Sequence, residues 1–180
     1  MIYEARTKKI SARMSSSIPN LYALLIDELE DIYDAENQLL EALPKMAEAA
    51  NHPELKEALT SHLGQTRTHV QRLNQMMSVL GLSAKGKTCQ AMTGLLKEGR
   101  EALEINGPAA VRDAALIGAA QRVEHYEIAA YGTARTFADL LGELDVANLL
   151  QTTLDEESAT NRFLTEIAVS VNTNALTASG

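Results

Sequence analysis

Four breaks divide this chain into long segments with a helical rhythm. They fall at Asn51-His52-Pro53, from Gly81 to Thr88, at Asn106-Gly107-Pro108 and at Gly142. Between them, apolar residues recur every three or four positions. The first segment carries Leu21, Leu25, Leu29, Ile32, Leu39, Leu40 and Leu43, and the second carries Leu55, Leu59, Val70, Leu73 and Met76-Met77. This is the period of an amphipathic helix, whereas a strand would alternate. The spacing predicts long helices from about Pro19-Asn20 to Asn51, Pro53 to Leu80, Pro108 to Leu141 and Glu143 to Val171. Pro44 is expected to kink the first. Pro53 suits the opening turn of the second, and Gly81 suits its end. A shorter helix from about Cys89 to Ile105 falls between the second and third.

The connection lengths set the topology. The first and last pairs of long helices are joined by tight turns. The link between the pairs takes about 26 residues, Gly81 to Asn106, and contains the short helix. Two antiparallel hairpins joined by one long crossover describe an all-α, ferritin-like four-helix bundle. The alternative is an up-down bundle with an added helix. The expected layout is a flexible N-terminal arm over 1–17, the bundle over 18–171 and a frayed C-terminus over 172–180. Composition agrees, since 46% of the 180 residues are apolar but only 4% are aromatic and none is Trp. Leu, Ala and Glu take their place, and these favour helices.

Charge and cysteine usage narrow the function classes. The net charge is −8, and the body of the chain has no basic stripe of the kind that grips nucleic acid. Arg6, Lys8, Lys9 and Arg13 lie in the arm, with no apolar stretch behind them to make a secretory signal. No apolar run approaches a membrane span. The single Cys89 has no partner within the chain for a disulfide, which fits a reducing compartment. The expectation is a cytoplasmic protein that binds neither nucleic acid nor membrane.

The chemistry lies in Arg122-Val123-Glu124-His125-Tyr126-Glu127. Glu124 and Glu127 are three residues apart, so they share a helix face with Leu116, Ala120, Val123, Tyr131 and Ala134. Carboxylates aimed into a bundle are costly unless neutralised. Either a metal ion or a basic partner such as Arg67, Arg72 or Arg122 would do this. Position along the helices bears on the choice. Glu36 lies 15 residues before Asn51, and Glu127 and Glu157 lie 15 before and 15 after Gly142. At 1.5 Å per residue, each is roughly 22 Å from its turn. Three helices therefore bring a carboxylate to nearly one level. On the remaining helix His62, Thr66 and His69 share a face. His62 reads as a ligand, with a core His bonded to a carboxylate as the near alternative, and for His69 that core reading is the better one. Glu36, Glu124, Glu127 and Glu157 together carry four negative charges, which two divalent ions would balance. Tyr33 and Tyr131, a turn from Glu36 and Glu127, are either hydrogen-bonding supports or core. Glu156 is expected to be solvated, and His125 falls off the inward face. Met76, Met77 and Met92 read as core, and Cys89 is assigned no chemistry.

Several stretches resemble the YciE/YciF-type stress proteins of the ferritin-like superfamily. They are Leu-Glu-Asp-Ile-Tyr-Asp-Ala-Glu-Asn-Gln-Leu (29–39), Ala-Leu-Pro (42–44), Arg-Asp-Ala-Ala-Leu-Ile (112–117), Val-Glu-His-Tyr-Glu-Ile-Ala (123–129), Tyr-Gly-Thr (131–133) and Leu-Asp-Glu-Glu (154–157). The crossover run Cys89-Gln90-Ala91-Met92-Thr93-Gly94-Leu95 is also similar to the family, and the resemblance spans about residues 18–170. It implies a helical bundle, often dimeric, with a candidate dinuclear metal site. Carried over, the ligands are Glu36, His62, Glu124, Glu127 and Glu157. Two departures stand out. The family commonly has Glu-Glu-Thr or Glu-Gln-Thr where this chain has Gly64-Gln65-Thr66, and Thr160 stands where better-known di-iron proteins place His.

The expected function is a metalloprotein holding two iron or manganese ions, with redox chemistry on Fe(II) or peroxide; a stress-response role is what the resemblance alone implies. Hard, bridging carboxylates suit such ions. The alternative is a non-enzymatic helical homodimer whose metal site has degenerated. A DNA-protecting cage is a third idea, opposed by the acidic body.

Overall fold

A computed structural model describes residues 18–83 and 87–178. Five helices and no strand are found among them: α1 (Leu21–Ala49), α2 (Pro53–Val79), α3 (Gln90–Leu103), α4 (Ala109–Leu140) and α5 (Leu144–Thr177). The expected arm over 1–17 lies outside the described residues. The α5 helix continues past the expected Val171 to Thr177.

The helix ends follow local chemistry. The Asn20 side chain accepts from the Ala23 amide at 2.9 Å and caps α1. Helix α1 runs unbroken through Pro44, where the sequence predicts a kink. Pro53 opens α2 where no intrahelical donor is required. Two glycines close helices in the same way. Gly81 at φ 72° lets Leu82 N reach Met77 O at 2.8 Å, and Gly142 at φ 73° lets Glu143 N reach Ala138 O at 2.9 Å. Both satisfy carbonyls that would otherwise end the helix unpaired, in a left-handed backbone that favours glycine.

Two antiparallel hairpins, α1–α2 and α4–α5, pack with α1 against α4 and α2 against α5. The crossover helix α3 lies over α1 and α4. This is the ferritin-like arrangement. Side chains pin the pieces together. Asp113, buried in the first turns of α4, accepts from the Asn51 and His52 amides at the α1–α2 turn, at 2.9 and 2.8 Å. At the start of α3, the Cys89 amide donates to Asp34 at 2.8 Å and the Cys89 thiol accepts from the Met92 amide. Its Sγ also lies 3.1 Å from the Tyr126 hydroxyl, which donates to Asp31. Cys89 thus has a structural place, and burial pushes its thiol pKa up.

The apolar core has two parts. One includes Leu39, Leu43, Leu55, Leu59, Leu116 and Ile167, towards the α1–α2 turn. The other includes Leu25, Leu29, Leu73, Met76, Val146 and Leu150, towards the α4–α5 turn. Between them lies a buried polar layer: Glu36, His62, Thr66, His69, Glu124, Glu127 and Glu157.

Candidate metal centre

The helical faces that bury leucine at either end of the bundle present this layer at its middle. Helix α4 supplies Glu124 and Glu127, α1 supplies Glu36, α5 supplies Glu157, and α2 supplies His62, Thr66 and His69. All seven are at most 2% exposed, so water cannot solvate their charges.

The donors form two groups with one shared member. His62, Glu124, Glu127 and Glu157 each offer a ligand atom, and these atoms all lie within 4.8 Å of one another. Glu36, His69 and Glu157 form a second such set. Glu157 therefore stands between them, and the imidazole centroids are 6.3 Å apart. The five sequence-predicted ligands, Glu36, His62, Glu124, Glu127 and Glu157, all fall in this assembly.

Each imidazole has one nitrogen tied back and one turned inward. His69 Nε2 is 2.8 Å from Glu156 Oε2, while its Nδ1 lies 2.9 Å from Glu157 Oε1 and 3.2 Å from Glu36 Oε1. His62 Nδ1 is 3.4 Å from Gln65 Oε1, while its Nε2 lies 3.3 Å from Glu124 Oε1 and 3.8 Å from Glu157 Oε2. Neither inward nitrogen has a hydrogen bond of acceptable angle. A carboxylate or amide behind an imidazole that fixes its orientation is the usual support of a metal-binding His.

Most carboxylate oxygens are also unsatisfied. Glu36 Oε2, Glu124 Oε2 and both oxygens of Glu127 and Glu157 have no hydrogen-bond partner, nor does Thr66 Oγ1. Each such buried atom costs roughly 1–3 kcal/mol, and more if charged. Among the described residues no Lys or Arg pairs with Glu124 or Glu127, and Arg67 and Arg122 are exposed. The ion-pair reading of the two glutamates therefore finds no support here. The observed protein groups that relieve the layer are His62, His69 and the Tyr131 hydroxyl, which donates to Glu36 Oε1 at 2.5 Å.

The titration behaviour follows. Burial raises Glu124 and Glu127 well above the usual carboxylate range, and the neighbouring Glu157 adds to it. Burial also raises Glu36, against the opposing pull of His69. For His69, burial favours the neutral ring but is outweighed by Glu157 and Glu36, so its pKa rises to about 10. Without a cation, protons thus take up part of the positive role. The donor set fits a metal: inward lone pairs, hard oxygens, two imidazoles and four carboxylates whose charge equals that of two divalent ions.

His69, read as core, is fully buried and lies against the carboxylates of Glu36, Glu156 and Glu157. One residue differs from the sequence reading. Glu156, read as solvated, is half-buried and held by Arg72, whose two terminal nitrogens reach its two oxygens at 2.5 and 2.9 Å. Hydrogen bonding to Arg72 lowers the Glu156 pKa. The signal lay in the run His69-Val70-Gln71-Arg72, which puts an imidazole and a guanidinium on one face of α2. His125 is exposed, as expected, and turns back onto the Gln121 carbonyl at 2.7 Å.

A family profile described as "Domain of unknown function (DUF892)" matches residues 20–177. Protein YciF of Escherichia coli K12 is 46% identical over 147 residues, which cover 81% of this chain and 89% of that protein. The crystal structure of the E. coli stress protein YciF superimposes with a TM-score of 0.84 at 42% identity, covering 87% of this chain and 99% of that one. YcfI of Rhodopseudomonas palustris, described as a candidate structural protein, gives 0.82 at 45% identity, over 84% of this chain and 97% of its own. A Xanthomonas campestris protein gives 0.69 at 22% identity, over 87% and 96%, and shows the fold alone.

Proposed function

The chain belongs to the DUF892 family, and from that membership and its buried acid–imidazole layer we propose that it is a metalloprotein holding two iron or manganese ions between its hairpins. The observation that carries this reading is the pair of donor groups sharing Glu157, with lone pairs turned inward and unpartnered. His62, Glu124, Glu127 and Glu157 would hold one ion, and Glu36, His69 and Glu157 the other. Such a centre supplies reversible one-electron chemistry towards oxygen or peroxide, the basis of a ferroxidase or peroxide-removing activity in a stress response.

The chain's own groups prepare that chemistry. Glu156, fixed by Arg72, orients His69. Gln65 orients His62. Tyr131 holds Glu36 through its hydroxyl. The leucine-rich clusters on either side exclude water. The raised carboxylates and His69 hold protons that leave as cations bind, so loading should release acid.

Exposed Val169 and Leu176 lie seven residues apart on one face of α5 and support assembly as a homodimer, which light scattering would check. A second reading is a helical dimer that keeps the fold without redox activity. The neutral Gln65, Thr66 and Thr160 favour it.

The test is anaerobic loading with Fe(II), desalting and elemental analysis, then near-UV absorbance on adding oxygen or peroxide. About two retained ions per chain and a new charge-transfer band are expected. Fewer than one retained ion would overturn the metalloprotein reading. Two ions with no spectral change would favour the non-enzymatic one.

A further inference from the structure

The donor layer is sealed by its own helices, so an ion needs a way in. The two seams between the hairpins differ. Helix α3 lies over the α1–α4 seam, whereas among the described residues no helix crosses the α2–α5 seam. A cleft of about 620 Å³ opens along the latter. Its charged lining residues, Glu54, Glu57 and Glu166, are all carboxylates, and all are exposed.

The inner wall of this cleft is the informative part. Gln65 and Thr160 line it, and the Thr160 hydroxyl donates to Gln65 Oε1 at 3.3 Å across the seam. The same oxygen lies 3.4 Å from His62 Nδ1. His62 is 2% exposed, and its far nitrogen, Nε2, faces Glu124 and Glu157 without a hydrogen bond. The cleft thus ends one side chain short of an unpartnered donor set.

The geometry points to this cleft as the route by which divalent cations reach the buried donors. Glu54, Glu57 and Glu166 form its collecting mouth, and the Gln65–Thr160 contact forms its movable floor. This inference rests on the metal-binding reading above. Three like-charged carboxylates at the mouth of a cleft raise the local concentration of cations and speed their capture. The floor is neutral, so it does not hold the ion in transit as a carboxylate at position 65 would. Its two contacts are at the long end of the hydrogen-bond range, so turning the Gln65 side chain breaks little.

The test follows uptake of Co(II), whose visible absorption reports coordination, by stopped flow at low and high salt. Final stoichiometry is read by elemental analysis after desalting. The triple variant Glu54→Gln, Glu57→Gln, Glu166→Gln should load about tenfold more slowly at low salt and lose most of its salt dependence. It should still reach the wild-type stoichiometry. Neutralising Glu98, Glu101 and Glu104, which lie at α3, changes net charge equally and should leave the rate unchanged. Gln65→Ala should speed uptake. A second measurement uses Ser61→Cys, an exposed cleft position, because Cys89 is fully buried. Capping that thiol with a bulky maleimide after folding should slow uptake in the same sample. Equal rates in the wild type and the triple variant, or no effect of the cap, would overturn the route while leaving the metal site standing. Failure of the wild type to retain Co(II) would instead overturn the metal-binding reading, and the route with it.

Discussion

The two halves of the donor layer are built differently. Around His69 the groups are braced: Arg72 grips Glu156, Glu156 holds the ring, and Tyr131 holds Glu36. Around His62 the charge is denser and the bracing thinner. Glu124, Glu127 and Glu157 converge there, both Glu127 oxygens are unpartnered, and the ring leans on the neutral Gln65 at 3.4 Å. The His69 half is organised before a cation arrives, while the His62 half holds protons on Glu124 and Glu127 that a cation would displace. A braced site loses little freedom on binding, and a charge-dense site gains most from the ion itself.

Substituting the residue common to both halves should have the largest effect. Glu157→Ala should remove tight retention of both ions, read by elemental analysis, while circular dichroism stays helical. Retention of a full complement would show that Glu157 is not shared. Glu127→Ala should then separate the halves, leaving about one ion per chain. Glu127→Leu sharpens the point: it should stabilise the protein in chelator, by roughly 1–3 kcal/mol, because it removes a buried carboxyl whose two oxygens have no partner. If it melts lower than wild type in chelator, the carboxylate serves folding and the contrast fails.

The bracing is tested by Glu156→Gln, which removes the anion behind His69. Affinity for one of the two ions should fall roughly 10–100-fold, measured by competition with a chromogenic chelator, and the other should be unaffected. A further contrast concerns pH. The folded metal-free chain holds an extra proton on His69, whose pKa is about 10 against an ordinary 6.5. Its contribution to stability is complete below pH 6.5 and is lost as the pH rises through 10. The raised Glu124 and Glu127 push the same way, since their protons too are held more tightly in the fold than in the open chain. The melting temperature in chelator should therefore fall between pH 6.5 and 10. With metal bound the fall should be much weaker, because deprotonated ligands favour the loaded form. A flat chelator profile would contradict it.

Much of the fold and the donor layer is legible in the sequence, for identifiable reasons. Proline and glycine mark the turns, and an axial rise of 1.5 Å per residue brings Glu36, Glu127 and Glu157 to one level from their positions in the chain alone. His69 escapes that reasoning because the same arithmetic sets it about 10 Å along α2 from His62. Side chains do not keep that spacing, and the two rings close to 6.3 Å. The layer is thus elongated along the bundle, with one donor group at each imidazole. Glu156 escapes it because its neighbour Glu157 points inward. Turning about 100° about the axis sends the next side chain sideways onto α2, where only the fold brings Arg72 to meet it. Gln65 and Thr66 do not leave α2 without a donor, since two imidazoles stand on that wall. Gln65 itself backs one of them.

The Asp113 clamp at the α1–α2 turn has a consequence at a distance. It fixes α4 against α2 at one point, with Glu124 eleven residues beyond Asp113 and His62 ten beyond His52. Counted from this common datum, both residues lie about 15–17 Å away along their own helices. The clamp works as the zero mark of a ruler read by two helices. Were it to slip by one residue, every ligand on α4 would move about 1.5 Å past its partners on α2. The tolerance of the buried centre is therefore set at the rim of the bundle, by a single carboxylate that never meets the centre.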